Sequence, residues 1–448
     1  MNIAFEISPL ITASGTFGDK SGVYRYMYGL LKGMSDHIKK NKLDIKIVLF
    51  SFNPHFLKTP INPEIYDLID KKRIILLRRD PPYTQKGGLI NKIIKKLLHT
   101  KPNIVIKIIN KIFFIKFFLS QISDQMEFRS YLWILDDEFK KRDIKVIFHS
   151  ETGFFNIGDY KNIVVMYDLT TINMPELHRM ETKDLIKRKL LFAANIKNGI
   201  ICISKSTKDD LIKYSPIFKK MKITVSYPGI DASFIKSINE KTNNKDDMKS
   251  INLMLKKYKA SINFKKFLLY YGTFEPRKNI LYLVKAFMDL QKEKQIPSDF
   301  KLILIGGEGW GLVKEKIKSF LEEEFPLEEN RNIILLDFVN DDYLIKFIRG
   351  AYATVYPSLY EGFGLPVLES MALGTPVISS NTSSLPEVGG HSVLYVNPWD
   401  FFDIKDKIGY LIKNKSFAKE LSRDGIIQAS QFTWENSVNK MMRFLKSL

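Results

Sequence analysis

Short apolar runs alternate with helical patterns along the first half of the chain. The runs show little polar alternation, as expected for strands buried on both faces of a parallel sheet. The predicted strands are Ile3–Ile7, Ile45–Phe50, Ile74–Leu77, Val146–Phe148, Ile163–Met166, Ile200–Ile203 and Ile223–Ser226. Helical patterns such as Val23–Met34 and Asp184–Ala194 lie between them. This alternation predicts a doubly wound α/β domain.

A second α/β unit follows the polar stretch Glu240–Lys249, which we expect to be a loop or linker. Its predicted strands are Phe267–Tyr271, Leu302–Ile305, Ile333–Leu336, Thr354–Tyr356, Val377–Ser379 and Val393–Val396. The predicted organisation is a first domain at 1–232, a linker at 233–265, a second domain at 266–430, and a C-terminal helix at 431–448 that packs back toward the first domain. Ligands of such sheets bind outside the carboxyl ends of the strands.

Composition narrows the class of protein. The 448 residues are 45% hydrophobic and include one cysteine, Cys202, which excludes wholesale disorder, a disulfide scaffold and a zinc finger. The net charge is +20, of which +17 falls in residues 1–250. This asymmetry predicts an anionic partner for the first half, and both nucleic acid and an anionic membrane surface would fit.

The segment 81–123 concentrates this charge, with eight lysines and no acidic residue. Its first part has the pattern of a basic amphipathic helix, which can lie among lipid headgroups. Two interpretations stay open: contact with the inner face of the cytoplasmic membrane, or surface helices that pack on their own domain. The apolar run Ile104–Leu119 is interrupted by lysines, and MNIAFEISPL does not resemble a secretory signal, so we expect a cytoplasmic protein.

The strongest chemical signal is YPSLYEGFGLPVLESMALGTPVISSNTSSLPEVGG, from Tyr356 to Gly390. A strand should end at Tyr356 and a helix should begin near Pro366 and end at Gly374. The amides of Phe363, Gly364 and Leu365 would then be free at the helix start and suited to a phosphate. Glu369 would lie in the first turn, where a carboxylate is favoured in any case. Glu361 lies in the loop and has no such structural reason to be there.

A second signal is YYGTFEPRKNILYLVKAF, from Tyr270 to Phe287. Arg277 and Lys278 follow a strand, and Asn279 can cap the next helix. A guanidinium fork beside an ammonium group suits a diphosphate. For an isolated Arg-Lys pair, however, a solvated charged loop would be the better interpretation.

Together the two motifs resemble the retaining glycosyltransferases of family 4, which have the GT-B fold of two Rossmann-like domains facing across a cleft. The resemblance rests on the Glu361-x7-Glu369 spacing, on EPRKN, and on EGFGLP followed by SSLPEV. It runs from about residue 3 to residue 436 and leaves 60–140 unmatched. Within the family, the chain is most similar to bacterial surface-polysaccharide mannosyl- and rhamnosyltransferases.

The resemblance implies a role for each matching residue. Arg277 and Lys278 would bind the donor diphosphate, assisted by the amides of Gly364 and Leu365 and by the backbone of the glycine-rich loop Gly15–Gly22. The resemblance also implies that Glu369 holds the ribose hydroxyls, that Glu361 positions the donor sugar, that Asp168 faces the acceptor, and that no metal or other cofactor is needed.

The chain departs from the family pattern at two positions. Tyr167 stands where many relatives have a histidine that contacts the transferred sugar. Thr273 stands where some relatives have an arginine, which places more weight on Arg277 and Lys278 as phosphate ligands.

The expected function is therefore retaining transfer of a hexose from a nucleotide sugar, with GDP-mannose weakly favoured over UDP- or dTDP-sugars. The expected acceptor is a glycan, lipid-linked, in O-antigen or capsule biosynthesis. The alternatives are a catalytically silent GT-B scaffold and a basic protein that binds nucleic acid or membrane. We expect no nucleic-acid partner, because the basic segment is rich in aliphatic residues and lacks a nucleic-acid-binding motif.

Overall fold

A computed structural model of the chain describes residues 1–12, 22–52, 65, 67–69, 73–77, 128–151, 153–178, 180–194, 199–239, 244–257, 266–325 and 332–448. The basic segment 81–123 and the part of the glycine-rich loop before Gly22 lie outside the described residues. No helix among the residues described is long and apolar enough to cross a membrane.

The first sheet has seven strands in the order β3-β2-β1-β4-β5-β6-β7. They are β1 Asn2–Glu6, β2 Ile47–Phe50, β3 Ile74–Leu76, β4 Ile144–His149, β5 Lys161–Met166, β6 Gly199–Cys202 and β7 Lys222–Val225. The central strand β1 pairs in parallel with β2 and β4. Its residues Ile3, Ala4 and Phe5 are fully buried, as the uninterrupted apolar pattern predicts for a sheet covered on both faces.

The second sheet has six strands in the order β10-β9-β8-β11-β12-β13. They are β8 Lys266–Tyr271, β9 Phe300–Ile305, β10 Ile333–Leu336, β11 Ala353–Tyr356, β12 Val377–Ser380 and β13 Leu394–Val396. Adjacent strands again pair in parallel. The strand order reverses between β8 and β11, so the loops after these two strands mark the predicted ligand position. The prediction of two Rossmann-like parallel-sheet domains with the GT-B fold is confirmed, whereas the cleft between them stays a prediction.

Helices connect the strands of both sheets. The described helices are Ser8–Thr12, Gly22–Lys40, 128–141, Thr170–Asn173, Met180–Ala194, Lys205–Tyr214, Ala232–Asn239, Asn244–Lys257, Ile280–Lys292, Val313–Glu324, Asp341–Gly350, Leu365–Ala372, Leu385–Gly389, Phe401–Lys413, Lys415–Ala429 and Trp434–Ser447. Among the described residues, 3-10 helices cover Pro175–Leu177, Pro216–Lys220 and Pro276–Lys278.

Two local predictions are wrong. The stretch 240–249, expected to be a loop or linker, does not form a loop but is helical from Asn244, because Ile251 and Leu255 lie one helical turn apart and are both fully buried. Asn279 does precede the helix Ile280–Lys292, but its side chain makes no cap. Its backbone is left-handed, with a φ of 57°, and its amide group donates a hydrogen bond to the carbonyl of Pro398 at 2.8 Å.

The described residues form two compact units. The first comprises Met1–Tyr28, Ile38–Val164 and Ile196–Asn198, and the second comprises Gly29–His37, Val165–Asn195 and Gly199–Leu448. Within the second unit, the C-terminal helix Trp434–Ser447 packs on Gly29 and Gly33. Ser437 anchors this helix through hydrogen bonds with Ser226 and with the carbonyl of Tyr227.

Candidate active site

Lys278 is a buried cation with two strong hydrogen-bond partners. It ends the 3-10 turn Pro276–Lys278, which follows β8, and only 6% of its surface is exposed. Its Nζ donates to Oε1 of Glu361 at 2.6 Å and to the hydroxyl of Tyr356 at 2.7 Å. The hydrogen bond between Lys278 and Glu361 is a buried salt bridge, which is shielded from solvent.

Arg277 lies between two carboxylates. Its Nη1 donates to Oε2 of Glu361 at 2.9 Å and to the carbonyl of Tyr360 at 3.0 Å. Its Nε lies 2.8 Å from Oε2 of Glu275. Its own carbonyl accepts from the amide of Leu359 at 2.8 Å, which fixes the Arg277 turn against the loop after β11. The solvated charged loop that we considered for an isolated Arg-Lys pair is therefore not what forms.

Glu361 is held in place from both ends. Its amide donates to Oγ of Ser383 at 2.9 Å, and Oγ of Ser384 donates to its carbonyl at 2.9 Å. Burial opposes ionisation of the carboxyl group, but Lys278 and Arg277 outweigh it and lower the pKa of Glu361 to about 2. Burial likewise opposes the charge on Arg277, yet Glu361 and Glu275 raise its pKa above the ordinary value. Arg277 and Glu361 are therefore ionised near neutral pH, whereas burial lowers the pKa of Lys278 and raises the pKa of Glu275.

The helix Leu365–Ala372 begins beside this cluster, as predicted. Gly364 precedes it with a φ of 110°, a conformation that favours glycine, and Gly374 follows it with a φ of 74°. Among the described residues, none accepts a hydrogen bond from the amides of Phe363, Gly364 or Leu365. This leaves a partial positive charge and open donors at the helix start, which suit an anion.

Glu369 lies deeper in this helix than predicted. Because the helix begins at Leu365, Glu369 is its fifth residue and not part of the first turn. Its side chain is buried, and its Oε2 accepts a hydrogen bond from the hydroxyl of Tyr271 at 3.1 Å. The same hydroxyl donates to the carbonyl of Pro366 at 2.8 Å. Tyr271, the last residue of β8, therefore fixes the carboxylate of Glu369 to the helix start.

Asp168 follows β5 and reaches the same region of the second unit. Its Oδ1 accepts from the amide of Thr170 at 3.0 Å, and its charge supports the protonated form of Arg277. The neighbouring carbonyl of Tyr167 approaches Gly362 so closely that a Cβ there would lie 2.3 Å from it. The ring of Tyr167, in the position where relatives often have histidine, lies under Nζ of the buried Lys189 at 4.7 Å.

The structure thus brings together Arg277, Lys278 and Glu361, with Asp168, Gly364 and Glu369 in the elements around them. Thr273 lies four residues before Arg277, and its carbonyl accepts from the hydroxyl of Tyr270 at 3.2 Å. Gly22 begins the helix Gly22–Lys40 in the first unit. In the part of the chain that the structure describes, no group of three His, Cys, Asp or Glu side chains could hold a metal ion.

Sequence reasoning missed some residues of this region. The sequence predicts Tyr356 only as the end of a strand, whereas its hydroxyl accepts a hydrogen bond from Lys278. His178 and Trp310 were not singled out, although their rings lie 5.2 Å apart beside the site. Nothing in the sequence shows that the two segments carrying these residues meet.

Comparison with known proteins identifies the class. Residues 255–428 match the family model of the glycosyl transferases group 1. These residues span β8 to β13 and include Arg277, Lys278, Glu361 and Glu369. This part of the chain is therefore similar to the glycosyl transferases group 1, and the resemblance of the chain to glycosyltransferases with the GT-B fold is confirmed.

Two of the similar proteins are named mannosyltransferases. The chain is 29% identical over 308 residues to O-antigen chain mannosyltransferase B of Escherichia coli, covering 68% of this chain and 76% of the relative. It is also 29% identical over 252 residues to the serotype-specific mannosyltransferase WbdA of Escherichia coli, covering 54% of this chain but 28% of the relative. The chain thus spans little more than a quarter of WbdA's length.

Among solved structures, the fold is similar to that of Alr3699/HepE from Anabaena, whose crystal structure holds UDP and glucose. The TM-score is 0.62 at 14% identity, and the match covers 100% of both chains. At this identity the likeness concerns the fold alone.

Proposed function

We propose that this glycosyltransferase transfers a hexose from a nucleotide-diphosphate sugar to a glycan acceptor with retention of anomeric configuration. GDP-mannose is the favoured donor, because two relatives are named mannosyltransferases. The observation that carries the proposal is the buried Arg277–Lys278 cation pair, next to the open amides before the helix Leu365–Ala372.

The donor diphosphate would bind Arg277, Lys278 and the amides of Phe363, Gly364 and Leu365. Arg277 and Lys278 are balanced by Glu275 and Glu361, so the cluster is close to neutral before an anion arrives. The leaving diphosphate gains negative charge as the glycosidic bond breaks. Fixed cations and amide dipoles that are already oriented stabilise that charge most strongly in the transition state.

Other residues would orient the two substrates. Glu369, held by Tyr271, would accept hydrogen bonds from the ribose hydroxyls, and Glu361 would position the donor sugar. Asp168 would face the acceptor. The departing phosphate oxygen would take the acceptor's proton on the face from which the nucleotide leaves, so Glu361 is not assigned as a nucleophile and no metal ion is needed.

The proposed acceptor is a lipid-linked glycan of a surface polysaccharide. The basic segment 81–123 would contact the anionic membrane that holds this acceptor. It is supported by the eight lysines of that segment and by the O-antigen relative. Replacing Lys92, Lys95 and Lys96 with glutamate should reduce sedimentation with vesicles of phosphatidylglycerol and phosphatidylcholine. Unchanged sedimentation would remove the membrane contact from the proposal.

The central test is a panel of GDP-mannose, UDP-glucose and dTDP-rhamnose, measured by release of nucleotide in EDTA. We expect one donor to be consumed without metal and the product anomer to match the donor anomer. Lys278→Met should abolish consumption, whereas Lys316→Met, which removes an exposed lysine, should not. Consumption of none of the donors would refute the function, and consumption by Lys278→Met would refute the site.

A further inference from the structure

His178 and Trp310 form an aromatic pair that the mechanism above does not use. His178 follows the 3-10 turn Pro175–Leu177, and Trp310 lies in the glycine-rich loop after β9. Their ring centroids lie 5.2 Å apart with planes inclined at 42°. Nε1 of Trp310 donates to the carbonyl of Leu177 at 2.5 Å, so the indole holds both the ring and the backbone of this segment.

The loop that carries Trp310 is fixed to the loop that carries Arg277. The amide of Phe274 donates to the carbonyl of Gly307 at 2.9 Å, and the amide of Gly309 donates back to the carbonyl of Phe274 at 3.1 Å. A Cβ on Gly309 would lie 2.8 Å from Cγ of Glu275. Because these backbones touch, Trp310 places His178 at a set position relative to the cation pair.

One ring nitrogen of His178 has no partner. Its Nε2 is buried and makes no hydrogen bond to any residue in the described ranges. A buried polar atom without a partner is uncommon in proteins and indicates a missing group. Trp310 holds this ring beside the loop of Phe274 and Glu275, so the missing group lies near the proposed reaction centre.

The surroundings of the ring suit a neutral partner. Burial lowers the pKa of His178, Asp168 opposes this effect, and Arg277 reinforces it, so the neutral form of the imidazole is favoured. A neutral imidazole nitrogen either donates or accepts one hydrogen bond. A sugar hydroxyl does both, so it can satisfy Nε2 in either tautomer.

We propose that Nε2 of His178 forms a hydrogen bond with a sugar hydroxyl in the active site, while Trp310 holds the imidazole ring in place. This inference rests on the proposed glycosyltransferase function. The hydroxyl belongs either to the hexose of the donor or to the sugar of the acceptor, and the two sources are separated by experiment.

Two variants of His178 separate the contribution of the Nε2 hydrogen bond from that of ring packing against Trp310. His178→Phe keeps a ring against Trp310 but has no polar atom, whereas His178→Gln places a polar group near the position of Nε2. We expect His178→Phe to lower kcat/KM by about tenfold or more at an unchanged melting temperature, and His178→Gln to recover most of the loss. His391→Phe, at an exposed histidine, serves as the matched control.

The assay uses GDP-mannose as donor and octyl α-mannoside as acceptor. If the hydroxyl is on the donor, His178→Phe slows hydrolysis of GDP-mannose in the absence of acceptor. If it is on the acceptor, that hydrolysis is unchanged and KM for the octyl mannoside rises. In both cases calorimetry should give the same affinity for GDP alone as in the unaltered protein.

Two results would overturn the assignment. Full activity of His178→Phe would refute it. A loss shared equally by His178→Gln, with weaker GDP binding and a lower melting temperature, would show a structural role instead. Inactivity of the unaltered protein on every nucleotide sugar, by contrast, would refute the proposed function itself.

Discussion

Nζ of Lys278 lies 2.6 Å from Oε1 of Glu361, although 83 residues separate them in the chain. The same carboxylate binds Arg277 through its other oxygen at 2.9 Å. Glu361 therefore neutralises the two cations to which we assign the donor diphosphate. A phosphate that binds there competes with this carboxylate, so removing the charge of Glu361 should not weaken nucleotide binding.

Glu361→Gln should separate nucleotide binding from transfer. Glutamine keeps the shape of the side chain but removes the negative charge that holds Arg277 and Lys278. We expect GDP or UDP to bind at least as tightly as before, because the cations are less neutralised. We expect transfer to fall by about 100-fold or more, since the sugar loses a fixed carboxylate partner. Calorimetry and nucleotide release measure the two effects.

Lys278→Met is the companion variant, and it should lower both nucleotide affinity and transfer. Glu323→Gln, at an exposed position of the helix Val313–Glu324, should change neither. A Glu361→Gln protein that binds nucleotide more weakly than the unaltered protein, at the same melting temperature, would contradict the proposed competition.

Glu6 gives the second prediction, because it is a fully buried carboxyl group at the end of β1. Its oxygens accept hydrogen bonds from Ser8 and Ser150. Burial outweighs these bonds and raises the pKa of Glu6 from 4.5 to about 7. The unfolded chain therefore ionises first as the pH rises. The stability that the protonated group contributes is fully present below pH 4.5 and is lost as the pH rises through 7.

Glu6→Gln should remove this dependence, since an amide does not titrate. The raised pKa corresponds to roughly 3 kcal/mol lost by the unaltered protein above pH 7. Between pH 5 and pH 8, we expect the melting temperature of the variant to fall by less than that of the unaltered protein. Glu420→Gln, at an exposed residue, is the control. Parallel curves for Glu6→Gln and the unaltered protein would show that Glu6 does not titrate in this range.

Much of this fold could be predicted from the sequence. The thirteen strands predicted from apolar runs are all present among the described residues, with ends within two residues of the prediction. The helix after the EGFGLP motif begins next to Gly364 and ends before Gly374, because a left-handed backbone at those positions favours glycine. Buried parallel strands and glycine at helix ends are local signals, so they can be read from short stretches.

The rest depends on contacts between distant segments. The sequence predicts that Asn279 caps a helix, but its side chain donates a hydrogen bond to the carbonyl of Pro398 instead. The polar stretch before Lys249 was expected to be a loop, yet the apolar residues that follow it hold a helix from Asn244. The salt bridges of Glu361 were likewise not predicted, because sequence spacing shows neither burial nor which charges meet.

Gly362 gives the third prediction, because it lies against the backbone of the loop that follows β5. A Cβ there would lie 2.3 Å from the carbonyl of Tyr167 and 3.0 Å from Cβ of Asp168. Gly362→Ala must therefore displace Asp168. We expect stability to fall by about 1–3 kcal/mol from overpacking and transfer to fall by about 100-fold from misplacement. Thermal melting and nucleotide release measure these losses.

Gly307→Ala is the matched control for Gly362→Ala, since no heavy atom lies within 4 Å of its Cβ position. It should melt at the temperature of the unaltered protein. If Gly362→Ala transferred sugar at the normal rate, the loop that carries Asp168 could shift without consequence, and Asp168 would lose its assigned role.

The contact between Gly29 and Trp434 gives the last prediction. A Cβ on Gly29 would lie 2.1 Å from Cζ2 of Trp434, so the C-terminal helix must shift to admit it. Alanine favours the helix by about 1 kcal/mol over glycine, but overpacking costs about 1–3 kcal/mol. We therefore expect Gly29→Ala to lower the melting temperature, whereas Gly33→Ala, with Cγ2 of Val438 at 3.0 Å, should change it less.

Adding Trp434→Phe to Gly29→Ala removes the clashing ring atoms, so the double variant should melt above Gly29→Ala alone. Additive losses in that double variant would mean that the two residues do not press on each other.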